Sequence, residues 1–139
     1  HDIIASAART DKVMRIIGGA KDTDFYRVIG DLYEDYLQLL KKNNVKKYLI
    51  APENFSKEFK TKFAKERGSL LRTLKAGLTS PTYTRITPEM VSIEIYGEEP
   101  TVIQIHNKAT ALGYIDHFNL LWKQSRPYQA TNLASEQPS

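Results

Sequence analysis

The sequence predicts an α/β domain, a mixed β-sheet flanked by helices, and three observations carry that reading. Short apolar runs closed by Gly or Pro, at 12–19 and 45–51, alternate with a longer stretch of three- and four-residue apolar spacing. Two alternating runs on either side of "GEEP" read as a β-hairpin. A last helix-periodic segment follows the hairpin, so the order is β-α-β-α, an irregular link, a hairpin and a helix. A chain of 139 residues suits one domain with one core.

Residues 2–10 (DIIASAART) read as the end of a helix. In "KVMRIIGG", Val13, Met14, Ile16 and Ile17 suit a buried strand, and the paired glycines suit a tight exit. Thr23 can cap the next segment, where Phe25, Val28, Ile29, Leu32, Tyr36, Leu39 and Leu40 mark an amphipathic helix over 24–43. Asn43-Asn44 ends it, "VKKYLIA" is a second buried strand, and Pro52 closes that. Asn54 is a good N-cap for a further helix. Phe55, Phe59 and Phe63 share one face of it, Lys57, Lys60, Lys62, Lys65 and Arg67 cover the others, and Gly68 stops it. "SLLRTLKAG", 69–77, fits a short helix or a strand equally. "TYTRIT", between Pro81 and Pro88, is a short strand. Val91, Ile93 and Ile95 alternate with Ser92, Glu94 and Tyr96, and "TVIQIHN" returns. Asn107 caps a final helix over 108–123, with Ala111, Ile115, Phe118 and Trp122 as its buried stripe and Leu121 beside it. Residues 124–139 are polar and aperiodic, which divides the chain into a domain at 1–125 and a disordered tail at 126–139.

Composition excludes several classes. The absence of cysteine removes disulfides, thiolate nucleophiles and most structural zinc sites, and it fits a reducing cytoplasm. No apolar run approaches the roughly 20 residues that span a bilayer, and no signal peptide is visible, so neither a membrane nor a secretory route is expected. The first residue is His, which reads as a chain processed or cut from something longer. A net charge of +4 tolerates nucleic acid or an anionic ligand without demanding either.

Four features bear on chemistry. His106 and Lys108 form an H-x-K at the end of the return strand. H-x-K-x4-D is the signature of the phospholipase D superfamily, in which the His attacks a phosphodiester; here Gly113 stands in the Asp position, Asp116 is out of register, and there is one such motif rather than two. A strand-end His and a first-turn Lys is the plainer reading. "IGGAKDTD" matches neither glycine-rich phosphate-binding pattern, and the carboxylates Asp22, Asp24, Asp31, Glu34 and Asp35 read as a solvated helix face, so no metal or cofactor is expected. Lys41, Lys42, Lys46 and Lys47 form one basic cluster and 57–67 another, without interleaved aromatics for base stacking. Arg72, Tyr83 and Arg85 lie in the irregular link, near strand ends where open α/β sheets bind ligands. Together with Gly19 and Tyr26, they are the expected ligand site for an anionic or hydroxyl-rich molecule; pairing of the arginines with nearby carboxylates is the equal alternative.

The segment "MVSIEIYGEEPTVIQIHNKATALGYIDHFNLLWKQS" resembles the C-terminus of TrmB-like transcription regulators, which ends in a hairpin and a helix closing in Phe-x-x-Leu-Trp, matched by Phe118, Leu121 and Trp122. "FYRVIGDLYEDYLQLLKKNNVKKYLIAP" and "SLLRTL" are similar to earlier parts of the same domain. The resemblance implies a phospholipase D-like fold without the catalytic motif. It therefore implies that the chain is not an enzyme but a domain that senses a small effector, a sugar or other polar metabolite, or mediates dimer contacts. DNA would be reached only through a separate winged-helix domain, for which residues 2–10 are too short, and a homodimer is an open expectation. The rivals are a phospholipase D-type phosphodiesterase or nuclease and a ligand-free protein-interaction module.

Overall fold

The computed structural model of the chain describes residues 2–18, 32–53, 60, 63, 66, 68–74, 82–95 and 98–128. Among them the elements run α1 (Asp2–Arg9), β1 (Val13–Gly18), α2 (Leu32–Lys42), β2 (Lys46–Pro52), β3 (Ser69–Leu74), β4 (Thr82–Ile86), β5 (Val91–Ile95), β6 (Thr101–Ile105), α3 (Lys108–Gln124) and β7 (Arg126–Pro127). The strands form one sheet in the order β6-β5-β4-β1-β2-β3-β7. β1, β2 and β3 are parallel, while β4 runs antiparallel to β1, and β5, β6 and β7 each run antiparallel to their neighbours. This is the mixed sheet flanked by helices that the sequence predicts, with three helices among the described residues.

Strand alternation sorts side chains onto two faces, each with its own apolar cluster. Met14, Ile16, Leu49, Ala51, Leu71 and Tyr83 face α1 and α2, where Ile3, Ile4, Ala7, Tyr36 and Leu40 cover them. Ile50, Ile86 and Val91 face α3, which places Ala111 and Phe118 against them. The turns fit their residues. Asn43 donates its side-chain amide to the Leu39 carbonyl at 2.8 Å, closing α2. Asn44 then takes φ 56°, a left-handed conformation that asparagine tolerates better than most. Asn107 caps α3 by accepting from the Thr110 N–H at 2.8 Å.

Four details differ from the sequence reading. "SLLRTL" is a strand, because β2 offers it a parallel edge through five consecutive residues and Pro52. The sheet runs past residue 125: β7 pairs with β3, the Tyr128 N–H donates to the Leu71 carbonyl at 2.8 Å, and the Lys60 ammonium lies 5.7 Å from the Tyr128 ring. On α3, Ala111 and Phe118 are buried, whereas Ile115 and Trp122 are half-buried. Most of the helix expected from Asn54, the first turns of the one expected over 24–43, and the tail after Tyr128 lie outside the described residues.

Candidate functional site

Beneath α2 the sheet carries a layer of charged and phenolic side chains that an apolar core does not need. Arg85, on β4 and 5% exposed, is at its centre. Its Nε donates to Glu94 Oε2 on β5 at 2.6 Å, and its Nη1 donates to the Tyr36 hydroxyl on α2 at 3.0 Å. The guanidinium also lies 5.5 Å from the Tyr36 ring and 5.8 Å from the Tyr83 ring. A buried guanidinium is tolerated only when a carboxylate and hydrogen-bond acceptors replace its hydration, and this arrangement supplies both. Burial raises the Tyr36 hydroxyl above its ordinary pKa, against the opposing pull of Arg85.

Lys47, 4% exposed, forms the other half of the layer. Its ammonium pairs with Glu66, which also accepts from the Tyr33 hydroxyl. It lies 4.6 Å from the Phe63 ring and 5.9 Å from the Tyr36 ring, so Tyr36 is flanked by two cations. Burial, reinforced by repulsion from Arg85, lowers Lys47 to about 7; burial raises Glu66 to about 8. Both shifts favour the neutral forms, and protons leave the two groups as a coupled pair. A cavity of about 600 Å³ opens beside the pair, lined by Leu37, Leu40, Lys41, Lys46, Lys47 and Glu66 among others.

The expected site residues divide between the two faces of the sheet. Tyr83 and Arg85 are two residues apart on β4 and share the α2 face, next to Gly18 at the carboxyl end of β1. Arg72 occupies the opposite face. Its Nε donates to Ser125 Oγ at 2.7 Å, its Nη2 donates to the Ser125 carbonyl at 2.6 Å, and its guanidinium stacks 5.1 Å from the Trp122 ring. The sheet separates Arg72 from the other two, so the three do not converge. Gly19 and Tyr26 lie outside the described residues.

Glu94, Tyr36, Lys47 and Glu66 were not singled out for this cluster by the sequence. A signal existed for Lys47: alternation in "VKKYLIA" places it on the same face as Leu49 and Ala51. Reading it with Lys41, Lys42 and Lys46 as one basic cluster was incorrect, since those three are exposed and Lys47 is not. His106 and Lys108 lie at the exposed far edge of the sheet, with His106 Nε2 3.3 Å from Gln104 Oε1. Their two-residue step recurs at Tyr83 and Arg85, with Met90 five residues further on, all three buried. Among the described residues no three His, Asp or Glu side chains group to hold a metal, and no helix is long and apolar enough to cross a membrane.

No protein-family model matches the sequence, and no curated protein sequence matches it significantly. Solved structures do match. TrmBL2, an archaeal chromatin protein whose structure shows a novel mode of DNA binding, superposes with a TM-score of 0.60 at 14% identity over 91% of this chain. This chain spans about half the length of TrmBL2, 49%. Nuc from Salmonella typhimurium, a phospholipase D family member, superposes with a TM-score of 0.62 at 14% identity, covering 91% of this chain and 88% of Nuc. The fold is therefore phospholipase D-like, the scaffold that the TrmB-like resemblance implies. The same finding corrects the expectation that the chain is not an enzyme. That expectation rested on the TrmB-like resemblance and on the incomplete motif at His106, but the scaffold is also that of Nuc, and a motif missing from an edge strand says nothing about the buried layer on β4.

Proposed function

We propose that this chain is the effector-sensing domain of a TrmB-like transcription regulator, with a polar or anionic metabolite taken up at the carboxyl end of β1, against Tyr83 and Arg85. Arg85 is the observation that carries this reading. A permanently charged group on a central strand is aimed and held by Glu94 and Tyr36 before any ligand arrives. Such preorganised donors suit a carboxylate, a phosphate or a cluster of hydroxyls. A ligand that competes with Tyr36 for the guanidinium would loosen the tie between β4 and α2. That differential contact is what allows binding to shift one arrangement towards another. Signalling to DNA would pass through a winged-helix domain in the same cytoplasmic regulator.

A thermal-shift screen of sugars, sugar phosphates and nucleotides tests the reading. One class should raise the melting temperature. Tyr83→Phe or Arg85→Lys should weaken its binding about ten- to a hundredfold, the scale of one charge-assisted hydrogen bond. Arg72→Ala, on the other face, should leave binding unchanged. A hit indifferent to both β4 variants but lost in Arg72→Ala would move the site across the sheet.

The second reading is phosphodiester chemistry, favoured by the scaffold shared with Nuc and by the tyrosine–arginine step on β4. The same preparations assayed on bis(p-nitrophenyl) phosphate decide it: turnover that disappears in Tyr83→Phe would replace the sensing proposal.

A further inference from the structure

We infer that the cavity at the amino-terminal end of β2 is a second binding site, which takes a small amphipathic anion: a phosphate or carboxylate carried on a short hydrocarbon chain. The inference goes beyond the reading at β1. β1 and β2 run parallel with Val13 beside Lys46, so the cavity lies at the strand ends opposite to Gly18 and Tyr83. At about 3.3 Å per residue, the steps from Val13 to Gly18 put about 16 Å between the two ends. Two tight turns frame the cavity. α2 gives way to β2 through Asn44, at φ 56°, and the chain enters β3 through Gly68, at φ 76°. The turns are held side by side, since the Lys47 N–H donates to the Gly68 carbonyl at 3.0 Å. The space of about 600 Å³ between them falls within the roughly 300–1,000 Å³ of small-molecule sites.

Its lining divides by chemistry. Leu37 and Leu40 on α2, with Val45, supply an apolar wall. Lys41 and Lys46 are exposed at the rim, and neither is drawn into an ion pair among the described residues. Lys47 and Glu66 lie deeper, with side chains 4% and 11% exposed, and are engaged with each other. Burial holds both of these towards their neutral forms, so the two lysines at the rim carry the charge. Cations outside and aliphatic side chains within fit a charged head group at the mouth and a hydrocarbon chain below it. A bare phosphate would leave the apolar wall unused, and an uncharged hydrocarbon would leave the lysines unused. The volume suits the short chain of a free molecule rather than the long chains of a membrane lipid.

The test is isothermal titration calorimetry of the intact chain with octyl phosphate, against butyl phosphate, octanol and inorganic phosphate. Octyl phosphate should bind, and each of the other three should bind about tenfold or more weakly, because chain and charge are both needed. Lys41→Glu and Lys46→Glu, at exposed positions, should each weaken octyl phosphate about tenfold while leaving the circular dichroism spectrum unchanged. Tyr83→Phe, at the far strand ends, should leave it unchanged. Vesicles of anionic phospholipid should not carry the chain down on sedimentation. No binding of octyl phosphate overturns the inference, as does binding indifferent to both lysine variants. Octanol or inorganic phosphate binding as tightly as octyl phosphate overturns the amphipathic site, leaving an apolar slot or a patch of surface lysines. Sedimentation with vesicles that is lost in Lys46→Glu overturns the free ligand in favour of a membrane surface. Loss of octyl phosphate in Tyr83→Phe alone overturns the location and moves the molecule to β1. The screen of sugars, sugar phosphates and nucleotides reads the β4 variants separately, so either proposal can fail alone.

Discussion

A β-carbon added to Gly18 would sit 2.7 Å from Tyr83 Cε1. The ring cannot swing away, because Tyr83 is 2% exposed and packed among Arg85 and the core of the α2 face. Gly18→Ala should therefore cost about 1–3 kcal/mol by overpacking. Gly18→Ala combined with Tyr83→Val should cost less than the sum of the two single changes, measured by urea denaturation; strict additivity would mean the two side chains do not meet. The Lys47–Glu66 pair yields a pH signature. Glu66, raised from 4.5 to about 8, stays protonated in the folded state where the unfolded chain has ionised. Between those values the folded state binds more protons, so stability falls as pH rises. Lys47, lowered from 10.5 to about 7, has the opposite sign, and its contribution rises from about 7 upward. The wild type should therefore lose ground to Glu66→Gln as pH rises from 4.5 to about 8. A wild type that instead gains over that interval would show the pair to be fully ionised when folded.

At the level of elements, α3 is fastened along its length. Ala111, in its first turn, and Phe118, past its middle, sit in the core, and Trp122 anchors its end, stacked 5.5 Å from Phe118 and tilted 5.7 Å from Tyr48 on β2. Because Trp122 is half-buried, Trp122→Ala should cost less than the upper end of the roughly 3–5 kcal/mol seen in full cores. It should also release Arg72 from the ring it covers. An unchanged melting temperature would mean that Ala111 and Phe118 hold α3 without it. The sequence makes this helix legible because its period, its Asn107 cap and its stripe all agree. "SLLRTL" could not be decided alone: Leu70, Leu71 and Leu74 satisfy helical spacing, Leu71 and Thr73 satisfy alternation, and only the neighbouring β2 edge breaks the tie. The candidate site was half legible for a similar reason. Tyr83 and Arg85 share one strand, so their common face follows from their spacing. Whether Arg72 joins them depends on the face that β3 turns towards α2, a matter of register between strands far apart in sequence. β7 had no signal at all, since two residues have no period, and Ser125, Arg72 and Leu71 hold it in place from outside.

Across the whole molecule, the two rims of the sheet are finished differently among the described residues. One rim, β6, has five uncharged residues; the other, β7, is two residues long and contains Pro127, which has no N–H to offer a further strand. Truncation after Ser125 should strip that guard. β3 would then present Arg72 and Thr73 unpaired, a strand edge open to other chains. Light scattering should then show species that grow with concentration beyond anything the intact chain forms. If the truncated chain keeps the size of the intact one, β7 is not a guard. If it does not, a dipeptide separates a discrete particle from an aggregate.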